Sequence, residues 1–376
     1  MTLARERLAA FGNAMLGLPR QLPQLALRSI KPNRALIEWC KETIASGHLP
    51  VVLCRIERLG DIVATTAVAG HLRQTHGPRA RIAWVCAAEY VSLLAGNPDI
   101  DAVFVEPCLT TWMMVRRHLA PQTLIVELFL DSDRCCWTGL RVKQHKTGWS
   151  IHNYYCGGNS LLAAYSAAAG CPVPDLPPQL PRFTRQRAAR LPAPAAAKPR
   201  VAVHFSSRDP ARSWPIENAR TFCHAALAAG CELIELGNER LVSAQPNPVA
   251  CLPQGSEIAS HVEALATVDC FVGVDSGFAH CANALEVPAL VLLGAFRNFS
   301  GYFPYSGPHA RGPLWRCLRS EGSLAQLTPG NVSAALLQLL AAGRLWEQGR
   351  GADYRAAVAT DAPEHQPPFT QAVAKS

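Results

Sequence analysis

No apolar run in this 376-residue chain reaches the roughly 18 residues that a membrane-crossing helix needs, so a membrane-spanning protein is not expected. The N-terminus also lacks the uninterrupted apolar segment of a secretory signal, because Arg5, Arg7, Arg20, Arg28, Lys31 and Arg34 interrupt it. Export is therefore not expected, and the chain reads as cytoplasmic. The 14 cysteines include no C-x-x-C and no paired Cys/His spacing; apart from Cys135 and Cys136 they are scattered singly. That scatter argues against a disulfide-stapled secreted domain and for reduced, mostly buried thiols. The positive residues lack aromatic interleaving or a nucleic-acid motif, so nucleic acid is not the expected partner.

What is present is enough chain for two domains, each burying its own core, with 49% hydrophobic and 17% charged residues. The net charge of +8 is unevenly placed. Residues 1–200 hold 24 Lys and Arg against 13 Asp and Glu, whereas residues 201–376 hold 12 against 15. The basic half should face something anionic, a small molecule or a phospholipid-like acceptor.

Pro50 to Ile56 is a short apolar, β-branched run that leads through Glu57-Arg-Leu-Gly-Asp61 into a helical pattern over Ile62 to Gln74. Strand-like runs at Arg81 to Cys86, Ala102 to Val105 and Thr123 to Leu128 continue the alternation of a parallel sheet. Prolines crowd the stretch from Cys171 to Arg200, where the interdomain connection is placed. Strands then recur at Val201 to Phe205, Glu232 to Leu236, Cys270 to Val274 and Ala289 to Leu293. The expectation is an α/β protein of two doubly wound, Rossmann-like domains facing across a cleft, where open α/β sheets bind ligands. Its divisions are an N-terminal extension (1–48), a first domain (49–175), a linker (176–200), a second domain (201–347) and a tail (348–376).

In the second half, Asp269 to Val274 is a buried strand running into Asp275-Ser-Gly277, with a helix beginning near Phe278. Free amides and the positive helix end favour a phosphate there, Gly277 permits close backbone approach, and His280 lies one turn on. The plainer alternative is that Asp275 or Ser276 caps the helix and His280 is packed. The stretch Val272-Gly-Val-Asp-Ser-Gly-Phe-Ala-His280 resembles the D-S/T-G-x-x-H signature of glycosyltransferase family 9, the ADP-heptose:lipopolysaccharide heptosyltransferases. The resemblance implies a GT-B fold and a diphosphate-binding role for Asp275, Ser276, Gly277 and His280. Val201 to Ser207, followed by Arg212-Ser-Trp-Pro215, is similar to the family's strand, small-polar loop and basic-x-W-P element. Ser206, Ser207 and Arg212 are thereby candidate phosphate contacts, with Arg212 in place of the usual lysine. Glu232 to Glu239 resembles the strand and G-x-E element, which makes Glu239 the candidate for the ribose hydroxyls.

In the first half, Arg55-Ile-Glu-Arg-Leu-Gly-Asp61 resembles the family's R-x-x-x-x-G-D element, which implies that Asp61 is the catalytic base; the alternative is a helix N-cap. The implied chemistry is inverting transfer of a sugar, heptose from ADP-heptose, to a lipopolysaccharide core acceptor. The residues matched around the diphosphate hold a single carboxylate and no D-x-D pair, so neither a metal nor another cofactor is expected. Arg116, Arg117, Arg141, Lys143 and Lys146 are candidate contacts for an anionic glycolipid acceptor, with a solvated surface role as the alternative. The basic N-terminus suits peripheral contact with the inner-membrane surface. A family member using another nucleotide sugar, or a non-catalytic binding homologue, stays open.

Overall fold

The computed structural model describes residues 33–130, 133–135, 138–141, 160–183, 198–243, 249–295, 305–311 and 315–347. Lys143 and Lys146 lie outside these residues. The first lobe runs α1 (Arg34–Ala45), β1 (Leu49–Cys54), α2 (Leu59–His76), β2 (Ala80–Cys86), α3 (Val91–Leu94), β3 (Ala102–Val105), α4 (Leu109–Val115), β4 (Leu124–Glu127) and α5 (Leu161–Ala169). Its strands form a parallel sheet in the order β3-β2-β1-β4.

The second lobe holds β5 (Arg200–His204), α6 (Ile216–Ala228), β6 (Glu232–Glu235), β7 (Val249–Cys251), α7 (Ile258–Leu265), β8 (Cys270–Val274) and α8 (Gly277–Ala284). It continues through β9 (Ala289–Leu293), α9 (Pro308–Arg311), β10 (Trp315–Arg319) and α10 (Pro329–Glu347). This sheet is also parallel, in the order β10-β9-β8-β5-β6-β7.

Side-chain alternation explains why the central strands read as unbroken apolar runs. On β1, Val51 and Leu53 face one core while Val52 and Cys54 face the other. On β8, Phe271 joins the first of these cores and Cys270, Val272 and Val274 a third. Helices cover both faces, so each residue of these strands is buried whichever way it points. The α2 segment from Asp61 to Gly70 is buried almost throughout, because α2 packs on α5 and also on α8 of the second lobe. One continuous apolar cluster therefore runs between the lobes through α2 and α8.

Four features differ from the sequence reading. Helix α1, left in the N-terminal extension, buries Leu36 and Cys40 against the β1 and α4 side chains and belongs to the first lobe's core. Asn33 ties it down, with Oδ1 accepting from the Leu36 N–H at 3.2 Å and Nδ2 donating to the Val105 carbonyl at 3.1 Å. The proline-rich stretch is not wholly a loose connection, since Leu180 and Phe183 are core residues and the Gln179 N–H donates to Thr66 Oγ1 at 2.7 Å. Strands β7 and β10 extend the second sheet at its two edges and were not expected.

Both strand orders reverse beside a strand that carries a motif. In the first sheet the reversal is next to β1, and in the second it lies between β8 and β5. Loops at the carboxyl ends of β1 and β8 thus occupy the positions where open α/β sheets take ligands.

Candidate active site

Beyond β1 the chain passes through buried Arg55, Ile56 and Glu57 to Arg58, a non-glycine residue at φ 72°. A positive φ costs a side-chain-bearing residue about 1–3 kcal/mol and commonly marks a functional turn. Arg58 is the N-cap of α2, and no side chain caps this helix. Asp61, in the first turn, is therefore not the N-cap. Its Oδ2 forms an ion pair with Arg55 Nη2 and accepts a hydrogen bond from the Tyr165 hydroxyl at 2.9 Å.

Arg55 is held from several sides. Its Nη1 donates to Asp133 Oδ2 at 3.0 Å and to the Leu128 carbonyl at 3.1 Å, and its Cζ lies 4.5 Å from the Tyr165 ring centroid. Burial works against the cation, but Asp61, Tyr165 and Asp133 outweigh it and hold the Arg55 pKa above the ordinary arginine value. Burial likewise raises the Tyr165 hydroxyl well above the ordinary tyrosine value, so it remains a proton donor at neutral pH. Both interactions fall on Oδ2 of Asp61, whose side chain keeps 12% of its surface exposed.

Strand β8 delivers Asp275 at its carboxyl end, and α8 starts at Gly277 behind an extended Ser276 at φ −149° and ψ 173°. No side chain caps α8 either, and the buried Ser276 Oγ has no hydrogen-bond partner. Ser276 thus holds the N-cap position of α8 without a side-chain cap bond, and His280 is buried and packed against Tyr305. Asp275 is held by the Tyr305 hydroxyl, 3.0 Å from Oδ1, and by Arg212 Nη2, 2.6 Å from Oδ2 and 3.0 Å from the backbone carbonyl. His280 Nε2 lies 3.9 Å from Asp275 Oδ1. Burial lowers the His280 pKa despite the opposing pull of Asp275 and Asp61, so the ring is neutral at pH 7; its Nδ1 is buried without a partner.

The two loops meet in direct contact. A Cβ on Gly60 would fall 2.7 Å from His280 Cδ2, and one on Gly277 would fall 2.6 Å from Leu59 Cβ. Only glycine at both positions lets the amino ends of α2 and α8 approach this closely. At this point the facing lobes pack against one another, because α2 and α8 share an apolar interface.

A family model described as Glycosyltransferase family 9 (heptosyltransferase) matches residues 158–300, the segment that carries Tyr165 and the Asp275 loop. Over this segment, less than half of the chain, the sequence is similar to glycosyltransferase family 9. No curated protein sequence matches it. Among solved structures it is similar to E. coli heptosyltransferase WaaC with ADP, at TM-score 0.52 and 15% identity over 77% of this chain and 100% of that one. E. coli ADP-heptose lps heptosyltransferase II aligns at TM-score 0.52 and 16% identity over 78% and 98% of the two chains. The iron-containing dodecameric glycosyltransferase TibC from enterotoxigenic E. coli H10407 aligns at TM-score 0.52 and 13% identity, over 78% and 76%. At these identities the likeness is one of fold, two parallel α/β lobes of GT-B type.

The remaining expected residues divide by position. Ser206 and Ser207 follow β5, and the Ser207 N–H donates to Ser213 Oγ at 2.9 Å, which ties this loop to the turn bearing Arg212. Glu239 is exposed on the loop after β6. That loop is organised by buried Glu235, whose carboxylate accepts from the N–H groups of Leu241, Val242 and Ser243 at 2.8–3.3 Å. Arg116 is paired with Glu127, which also accepts from Trp112 Nε1 at 2.8 Å, so it serves the first lobe's interior rather than standing free for an acceptor. Arg117 and Arg141 are exposed.

Sequence reasoning missed Tyr165, Asp133, Tyr305 and Glu235, and it took Arg55 only as part of a motif. Arg55 carried a signal, a cation inside an otherwise apolar strand end. Tyr165 stands in an alanine-rich helix with no local mark.

Proposed function

We propose that this chain is a family 9 glycosyltransferase that transfers a sugar from a nucleoside diphosphate donor, heptose from ADP-heptose, to an anionic lipopolysaccharide core acceptor, with inversion at the anomeric carbon. The observation that carries this reading is the contact of the two glycine loops, which sets Asp61 of α2 beside the uncapped amino end of α8. The relatives' own ligands, ADP in one WaaC structure and ADP-2-deoxy-2-fluoro heptose in another, support an ADP-sugar donor.

In this reading the second lobe binds the donor and the first takes the acceptor. Asp61 accepts the proton of the acceptor hydroxyl as that oxygen attacks the anomeric carbon. The departing diphosphate is stabilised by the α8 amides at Ser276 and Gly277, the positive end of that helix, and Arg212, with His280 as a neutral neighbour. Ser206 and Ser207 add donors to the phosphates and Glu239 accepts from the ribose. Exposed Arg117 and Arg141, with Lys143 and Lys146, supply positive charge for the acceptor. In this reading Arg212 and the helix end carry the charge that compensates the departing diphosphate. No helix of the described residues is long and apolar enough to cross a membrane. We place the enzyme on the cytoplasmic side, with its basic first half in peripheral contact with the inner membrane.

A different donor sugar is the second reading, favoured by Arg212 standing where the family usually has lysine. A thermal-shift screen separates them. A donor at a hundred times its dissociation constant stabilises by roughly 2.7 kcal/mol. ADP-heptose and ADP should raise the melting temperature, with or without EDTA, while UDP- and GDP-sugars should not; a rise with UDP-sugars alone would reassign the donor.

A further inference from the structure

Tyr165 lies 104 positions from Asp61 in sequence, on a different element, yet its hydroxyl donates to the Oδ2 atom that Arg55 also holds. It is 2% exposed, and its ring lies under the Arg55 guanidinium at 4.5 Å. Arg55 is fixed in turn by Asp133, by the Leu128 carbonyl and through its own carbonyl, which accepts from Trp84 Nε1 at 3.2 Å. Asp61 is thus gripped by one oxygen from two directions, while Oδ1 receives neither bond. A carboxylate held this way cannot rotate to present Oδ2, and any substrate proton it takes must come to Oδ1. Among the described residues the Tyr165 hydroxyl bonds the proposed base rather than backbone, and its ring alone would fill the space, as phenylalanine would.

We propose that Tyr165 is a positioning residue for glycosyl transfer, which together with the Arg55–Asp133 pair locks Asp61 with Oδ1 turned to the acceptor hydroxyl. This rests on the reading of Asp61 as the base. Tyr165 touches neither substrate; it acts through the carboxylate.

The test uses the full chain, ADP-heptose as donor and deacylated lipopolysaccharide core as acceptor, with ADP release followed at neutral pH. Tyr165→Phe should lower kcat by roughly 10- to 100-fold, the size of a hydrogen bond to a charged group, and leave the KM for ADP-heptose within about twofold. Asp133→Asn, which loosens Arg55 without touching Asp61, should lower kcat in the same way by less. A Tyr165→Phe enzyme with wild-type kcat, alongside an inactive Asp61→Asn, would overturn the positioning role and leave the base intact. An equally active Asp61→Asn enzyme, or a wild type that turns over no nucleotide sugar, would overturn the reading of the base and this proposal with it.

Discussion

His309 shows how a buried residue outside the motifs ties stability to pH. Burial pushes its pKa down to about 3; the bond to the Val287 carbonyl opposes this and the neighbouring His280 adds to it. An unfolded histidine titrates near 6.5, at roughly the model-peptide value. Above that pH both states are neutral and the contribution is fully present. As pH falls from about 6.5 toward about 3, the unfolded chain takes a proton that the folded ring refuses, and stability declines. Denaturation midpoints should therefore drop between pH 7 and pH 4.5, and His309→Gln, which can keep the bond to Val287, should flatten that slope. An unchanged slope would show that His309 is not the group responsible. At this same scale the motifs were legible where chemistry is local: Gly60 with Asp61, and Asp275 through His280, are short spacings on one loop. Tyr165 and Asp133 reach Arg55 and Asp61 only through the fold, over 104 and 78 positions, and no local pattern could have named them.

Among the elements, the crossing of α2 and α8 is the most exposed to substitution. An alanine at Gly277 would set its methyl 2.6–2.8 Å from Leu59 Cβ, Cγ and Cδ2, contacts that require the helices to part. Overpacking of this kind costs about 1–3 kcal/mol. Gly277→Ala should lower the denaturation midpoint accordingly, and Leu59→Ala in the same chain should recover part of the loss, because two residues in contact do not add independently. Full additivity would mean that the helices do not meet here. The central strands were readable because β1 and β8 are buried on both faces and so appear as continuous apolar runs. Edge strands were not: β10 carries Arg316 and Arg319 on a half-covered rim, and β7 is only three residues long. The proline-rich stretch also contributes to a core, since an extended chain without ladder bonds can still bury Leu180 and Phe183.

For the whole molecule, the alternation of strands and helices was enough to expect two doubly wound lobes, and the structure has them. The direct contact of the two loops could not be read, because it depends on how the lobes pack and not on either lobe alone. The consequence is functional: Asp61 and Asp275 stand at the carboxyl ends of two separate sheets, and the Gly60 and Gly277 contacts bring their loops together. The most direct test of this account is ADP release from ADP-heptose in the presence of lipopolysaccharide core, measured for the wild type and for Asp61→Asn. Asp61→Asn should cut kcat by about 10²–10⁴-fold, the range contributed by a positioned acid–base group, while ADP still stabilises the variant as it does the wild type. Equal turnover by the two proteins would contradict it.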